Sequence, residues 1–382
     1  MSKVFLFAVI ILLSIGCSKN DENEPLTDYP QMSDPDDVCS AMDDIEFMRY
    51  CYENFDVNKD GKVSPIEAQA VTTISFGNNN TDGIVTKVKS LKGIQYFTNL
   101  TTLECNMCIL KSLDTSKNTK LTSLKCMNCA LTELDLSQNK ALIHLECGND
   151  YIINEETLLE SLNTIQELNL SNNSNLQQLN CKLLIYLTNL NISNNKDLKI
   201  LNCSSTSLSE LDISNNKDLK ILNCSSTSLS ELDISNNSIL EELDFSSSIK
   251  LLKITNNIEL KRIYCHDSEL TNLDISNAPK LEEVYCFNTK LTQLSISNVP
   301  KLKKLNCSFS ELTNLDISNA PNLEELSCFH TKLTSLDISK CANLRSVNCY
   351  SCPLSSIIVR RGQDLYTIFG STLGGVNIQY VE

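Results

Sequence analysis

The chain has 382 residues and a formal charge of −15, from 47 acidic and 32 basic side chains. That balance leaves no broad basic face for phosphate, so nucleic acid is not an expected partner. A hydrophobic content of 41% excludes a disordered chain, and 10 Gly with 8 Pro exclude a collagen-like one. The length allows two or three domains, and 18 cysteines demand an account as disulfides, metal ligands or something else.

Behind Ser2 and Lys3, Val4 to Ile15 form an apolar run too short for a bilayer, which takes ~20 residues. The run has the length of a signal-peptide core. Ser14-Ile15-Gly16-Cys17 follows, then the polar stretch Ser18 to Glu24. These residues resemble a bacterial lipobox and the surface-export signal of Bacteroidetes lipoproteins, although Ser14 stands where Leu is usual. The resemblance implies a signal peptide over 1–16, lipidation of Cys17 and a polar tether over 17–32. It also implies an outer-membrane, surface-exposed location, held by the lipid anchor only. An ordinary secretory signal with an accidental Cys17 is the competing reading.

Residues 33–70 read as a helical cap. Asp34 and Pro35 suit a helix start, and Val38, Met42, Ile45, Met48 and Tyr52 follow at helical spacing. Asp56 to Glu67 (DVNKDGKVSPIE) then resembles an EF-hand loop. The match implies calcium held by the side chains of Asp56, Asn58, Asp60 and Glu67, by the Lys62 carbonyl and by Ser64, with Gly61 allowing the sharp turn. Its expected role is structural, holding the cap over the apolar end of the next domain, and an Asp/Asn-rich surface turn is the alternative. On one straight helix Cys39 and Cys51 would lie about 18 Å apart, too far to bridge. Val71 to Phe76 reads as a first, atypical strand.

A repeat fills residues 71–382. Cysteines recur at 105, 126, 147, 181, 203, 224, 265, 286, 307, 328 and 349, mostly 21 apart, with Phe245 in the missing slot. Each ends a pattern such as Leu302-Lys303-Lys304-Leu305-Asn306-Cys307, and a second half such as Leu208-Ser209-Glu210-Leu211-Asp212-Ile213-Ser214 follows. These residues resemble the leucine-rich repeat. The resemblance implies an α/β-type repeat solenoid, a right-handed superhelix of parallel strands with few helices. One coil cannot bury its Leu face alone, whereas stacked coils share one core, with rungs ~4.8 Å apart. Residues 195–215 and 216–236 are identical, as recent duplication would leave them, and this favours an extended binding surface over a catalytic pocket. Between Cys147 and Cys181 there are 13 extra residues, of which Asn154 to Leu162 suit a short helix.

Cys105-x2-Cys108 and Cys126-x2-Cys129 have zinc-ribbon spacing. The repeat offers a simpler account: Cys105 and Cys126 fill its third apolar slot, Cys108 and Cys129 its Asn slot. Stacking also brings these four sulfurs near one another, so metal stays as the competing reading.

On the exposed side of the rungs, Glu241-Glu242, Lys261-Arg262, Glu282-Glu283, Lys303-Lys304, Glu324-Glu325 and Arg345 alternate in sign and should pair across strands. Beside them lie Tyr264, His266, Tyr285, Phe287, Phe309, Phe329, His330 and Tyr350, where earlier coils carry mostly small or polar residues. Such rings either form a recognition patch or stack on each other to stiffen the sheet edge. The three histidines sit in separate rungs, and no nucleophile or phosphate-loop motif is present. The expected function is therefore protein binding or adhesion without catalysis, with a host or matrix protein as partner. A glycan-binding accessory lipoprotein using the same aromatics is the alternative.

Overall fold

The computed structural model describes residues 35–76, 88–150, 160–246, 248–276, 278–364, 368–369 and 375–382. The signal segment, Cys17 and the tether lie outside the described residues, as does most of the helix expected over 154–162.

The chain from Pro35 onward is one compact unit. The sequence pattern suggested one helix from Pro35 to Tyr52, and this is corrected. A 3₁₀ turn, Val38–Ala41, is followed by a separate helix, α1 (Ile45–Phe55). Asp44 causes the break. Its carboxylate accepts the N–H groups of Glu46 and Phe47, both at 2.9 Å, and so starts a new helix rather than continuing the old one. Ile45, expected inside, is consequently 77% exposed. The break also folds Cys39 back toward Cys51, and the two buried thiols lie close enough for Cys39 to push the Cys51 thiol up. The straight-helix separation therefore does not apply. A second helix, α2 (Pro65–Ala70), starts with a capping box between Ser64 and Glu67.

The rest is a parallel β-solenoid. Strand Thr73–Ser75 and twelve rungs, from Thr102–Glu104 to Ser346–Asn348, form one 13-stranded sheet. Each rung is three residues long, with its middle Leu, Ile or Val buried and its flanks facing out. The following cysteine turns inward, and Cys105, Cys126, Cys147, Cys181, Cys203, Cys224, Cys265, Cys286, Cys307 and Cys328 are fully buried. Phe245 is buried in the same column and fills the missing place.

The second half of each coil is paired only in patches. Glu167–Asn169 pairs with Asn189–Asn191, Glu231–Asp233 with Leu251–Lys253, and Asn272–Asp274 with Gln293–Ser295. Two bends join the halves, and both are held by side chains. In the first, Thr206, Thr227, Ser268, Thr289, Ser310 and Thr331 donate to the carbonyl of the cysteine three residues before, at 2.7–2.9 Å. In the second, buried Asn118, Asn139, Asn173, Asn195, Asn216, Asn237 and Asn257 each donate through Nδ2 to two carbonyls of the preceding coil. Cys341, which the sequence pattern left without a place, sits in this column, its thiol reaching the Ile317 carbonyl at 3.7 Å.

Candidate functional site

The rung sheet presents three outward columns, two before the buried middle residue and one after it. Because the strands are parallel and in register, equivalent residues face each other directly, as Glu283 faces Lys304 and Tyr264 faces Tyr285. The expected charge ladder forms: Lys261 reaches Glu241 at 2.6 Å, Lys303 reaches Glu282 at 2.8 Å and Lys304 reaches Glu283 at 3.7 Å. Arg262 also pairs with Glu242, and Arg345 with Glu324 at 3.6 Å. The carboxyls of Glu241 and Glu282 are held below their ordinary range, first by hydrogen bonds from Lys261 and Lys303. These pairs are solvent-facing, so each contributes at most ~1 kcal/mol. Their larger effect is to neutralise the face.

The aromatic residues come together beside this ladder. Tyr264 and Tyr285 stack with centroids 5.3 Å apart and planes within 6°. His266 stacks on Phe287 at 4.8 Å and 10°, and Phe309 on His330 at 4.8 Å and 9°. Phe329 meets Phe309 edge-on at 4.8 Å, and Tyr350 meets His330 edge-on at 6.2 Å. The expected stacking therefore occurs, and it covers one face of most rings. Phe309 and Tyr350 still expose 48% and 75% of their surface.

One feature of the cluster was not legible in the sequence pattern. The second residue after most rung cysteines takes a left-handed backbone: Asn128, Ser205, Ser226, Asp267, Asn288 and Ser351, and also the bulkier Met107 and Leu183. Asn, Asp and Ser are the side chains suited to such a turn. Phe309 (φ 53°) and His330 (φ 55°) occupy the same position. Left-handed backbone costs an ordinary L-residue roughly 1–2 kcal/mol. A second feature lies at the N-terminal edge of the stacks. Asp244 Oδ1 and His266 Nδ1 are both inaccessible to solvent and without a hydrogen-bond partner, while Asp244 Oδ2 accepts from Asn223 at 3.0 Å. Burial pushes the Asp244 carboxyl up, and the nearby His266 opposes it.

The expected calcium loop is tied together by its own acidic side chains. Asp56 accepts from the N–H groups of Asp60 (3.2 Å) and Gly61 (3.0 Å), Asn58 from Asp60 (2.9 Å), and Asp60 from Lys62 (2.9 Å). Gly61 turns the chain at φ 83°. From α2, Glu67 reaches back to the N–H of Val57 (3.0 Å) while its other oxygen takes Ser64 N–H (2.9 Å) and Oγ (2.8 Å). The Ser64 bonds hold its carboxyl below the ordinary range. The donor set is all oxygen and anionic, which suits a hard divalent cation. Among the described residues no group of three or more His, Cys, Asp or Glu is arranged to hold a metal ion. In this loop Glu67 is committed to Ser64, Val57 and Asn58, so it would have to turn inward to become a ligand.

The first two cysteine pairs are built into the packing. Cys105, Cys108, Cys126 and Cys129 are fully buried, and the Cys129 thiol donates to the Cys105 carbonyl at 2.9 Å. A depression of about 940 Å³ lies elsewhere, on the second half of the coils. It is lined by Asp114, Glu133, Asp135 and Glu167 among Ser, Thr, Gln and Asn, with no aromatic or basic side chain.

No family model matches the sequence, and no curated protein matches it. Solved structures do. The functional domain of InlJ from Listeria monocytogenes, described as including a cysteine ladder, is 26% identical, with a TM-score of 0.54 over 87% of this chain and 78% of that one. An internalin, InlF, from the same organism is 17% identical, with a TM-score of 0.61 over 90% and 97%. The LRIM1/APL1C complex is 19% identical, with a TM-score of 0.54 over 76% and 61%. The fold is thus the leucine-rich-repeat solenoid, as the repeat implied.

Proposed function

We propose that this chain is a surface-anchored lipoprotein that binds a protein partner, such as a host or matrix protein, on its rung sheet. The aromatic cluster of the C-terminal coils is the anchor, and catalysis has no part in this reading. The observation that carries it is the Phe309–His330 pair, two stacked and partly exposed rings in left-handed positions that other coils fill with Asn, Asp or Ser or, at Met107 and Leu183, with an aliphatic side chain. Their mutual stacking is worth ~0.5–1.5 kcal/mol, which offsets only part of two such conformations. Strain kept at partly exposed rings argues for contact with something outside the chain. The flanking charges neutralise one another, so affinity would come from apolar burial at the rings. The leucine-rich-repeat fold supports a protein-binding role by analogy, and one of the similar structures is itself a protein complex.

The glycan reading is the weaker one. A sugar platform uses an open ring face, and in Tyr264–Tyr285, His266–Phe287 and Phe309–His330 each ring has given one of its two faces to its neighbour.

The test is cross-linked capture from matrix and cell-surface extracts, in parallel with a glycan array. The double variants Tyr285→Ala/Phe287→Ala and Phe309→Asn/His330→Asn should keep a native circular-dichroism spectrum and lose the captured protein. Retention of the same partner by both variants would refute the site, and array signals lost in the variants would favour the glycan reading. For the anchor, Cys17→Ser should move the protein from the membrane fraction to the medium. For the cap, about 1 mM calcium should raise the melting temperature of the wild type but not of Asp56→Asn/Glu67→Gln. A wild type that calcium leaves unshifted would remove the metal from the account.

A further inference from the structure

The second halves of the coils carry outward columns of their own, apart from the rung sheet. Glu167–Asn169 is a strand there, with Leu168 buried and both flanks exposed. It pairs on one edge only, with Asn189–Asn191 of the next coil. On that edge Thr188 N–H donates to the Gln166 carbonyl at 2.9 Å, and Leu170 N–H to the Asn191 carbonyl at 3.0 Å. Main-chain groups alternate between the two edges of a strand, so those of Glu167 and Asn169 point toward the preceding coil. Among the described residues no main-chain hydrogen bond meets them there, and residues 112–114 and 132–135 of the two preceding coils carry no strand pairing. This free edge opens into the depression of about 940 Å³, a volume in the range of ligand-binding clefts.

The charge of the groove is one-sided. Asp114, Glu133, Asp135 and Glu167 line it, and none of them joins an ion pair among the described residues. Lys117 acts on Asp114 from an adjoining depression of about 340 Å³, which it lines with Lys92. The chain holds a contrast further along. A depression of about 350 Å³ there is lined by the equivalent acids Glu210, Asp212, Glu231 and Asp233, but also by Lys253, which pairs with Asp233 at 3.2 Å. Its strand Glu231–Asp233 is paired with Leu251–Lys253. In that place the chain supplies both the neighbouring strand and the cation. At Glu167–Asn169 it supplies neither on the open edge.

We propose that this groove docks an extended, lysine- or arginine-rich segment of a partner protein, added as a β-strand to the free edge of Glu167–Asn169. The main-chain groups of Glu167 and Asn169 take the backbone of the segment, which gives affinity without reading sequence. Alternate side chains of a strand share one face and stand ~6.6 Å apart, so every second residue of the segment meets the carboxylate columns. Charge then selects the partner. A basic strand pairs with the four carboxylates, whereas an apolar or acidic one would take them from water with nothing in return. The groove lies on the other half of the coils from the aromatic cluster, and its ligand does not depend on that cluster.

The experiment titrates the folded full chain into the fluorescein-labelled peptide Lys-Val-Lys-Val-Lys-Val-Lys at about 0.15 M salt and reads anisotropy. A second peptide has the same sequence with every internal amide N-methylated, which keeps the charge and blocks strand pairing. The first peptide should bind, the second about ten-fold or more weakly, and hydrogen exchange should slow over residues 166–170 when the first is bound. Glu133→Gln/Glu167→Gln should raise Kd about ten-fold, as two exposed ion pairs are lost. Glu210→Gln/Glu231→Gln removes the same charge elsewhere and should leave Kd within about two-fold. Equal affinity for the two peptides would overturn the proposal, because charge alone would then explain the binding. An equal loss in the two double variants would overturn it as well, and so would a first peptide that stays free at about 1 mM protein. Binding without protection of 166–170 would overturn the assigned edge. Phe309→Asn/His330→Asn should bind the peptide as the wild type does, which keeps a failure here distinct from a failure of the aromatic site.

Discussion

The buried asparagine column offers a prediction whose size can be worked out bond by bond. Asn216 is fully buried, and its Nδ2 donates to the carbonyls of Ile192 (3.1 Å) and Asn195 (2.7 Å). Each carbonyl already accepts a backbone N–H, from Asn195 and Leu198 respectively. Asn216 Oδ1 has no partner among the described residues. Asn216→Ala therefore removes two hydrogen bonds worth ~1 kcal/mol each, together with an orphan acceptor whose burial costs ~1–3 kcal/mol. The net loss should be about 1 kcal/mol or less. The fold supports this, since Ala278 and Ala320 fill the same column in later coils and are fully buried.

Asn216→Asp has nearly the same shape and should behave differently. It replaces the donor with a second acceptor facing two carbonyls, so the carboxyl must stay protonated or bury a charge. Burial raises a carboxyl by up to 3–5 units, and one unit is 1.36 kcal/mol, so the loss at neutral pH should be about 4 kcal/mol. The folded pKa would lie above the unfolded ~3.9. This variant is then most stable below about pH 4 and loses stability as pH rises through the folded value. Urea denaturation of wild type and both variants, at about pH 4 and about pH 7.5, provides the assay. An Ala variant that loses more than ~3 kcal/mol would refute the reasoning. So would an Asp variant no worse than Ala at neutral pH.

Three further outcomes follow from the same structure. Reversing one rung with Glu282→Lys and Glu283→Lys sets like charges against Lys303 and Lys304, so thermal melts should show a larger loss at low salt than near 1 M, and equal losses would remove the ladder from the stability account. Asp244→Asn removes a carboxyl that burial pushes up. Because that shift makes the wild type less stable as pH rises through the folded value, the variant should melt a few degrees higher at neutral pH and about equally near pH 4, and superimposable pH curves would contradict it. Phe245→Cys restores the repeat's own residue but empties a filled site, so it should cost about 3 kcal/mol in denaturant titration rather than stabilise.

Much of the architecture was legible because a stacked repeat writes its contacts into a period. The 21-residue step of Leu and Cys placed the rungs, and their sign alternation placed the ion pairs, since in-register parallel strands align equivalent residues. The same step explains Cys341 only once the second bend is seen, because Cys341 replaces Asn in a column where Asn, Ala and Val all occur. The cap was misread where a local signal competed with a periodic one: Met42, Ile45 and Met48 keep helical spacing, but Asp44 caps a new helix between them. Hydrophobic spacing does not report a carboxylate that satisfies two backbone N–H groups.

The candidate site divides in the same way. Sequence by itself determined which rings gather on neighbouring rungs and which oxygens share the cap loop, because both follow from position along the chain. Tertiary structure decided what those groups are free to do. The rings spend their faces on each other, and two of them take a left-handed backbone that no side-chain pattern announces. Cys129 and Cys352 hold one place in the repeat and are identical in sequence terms. Both thiols reach the carbonyl of the preceding rung cysteine at 2.9 Å, but one is fully buried and the other only half-buried. Periodicity fixes where a side chain sits; solvent exposure and the polarity of its neighbours, which arise only when the coils stack, fix its chemistry.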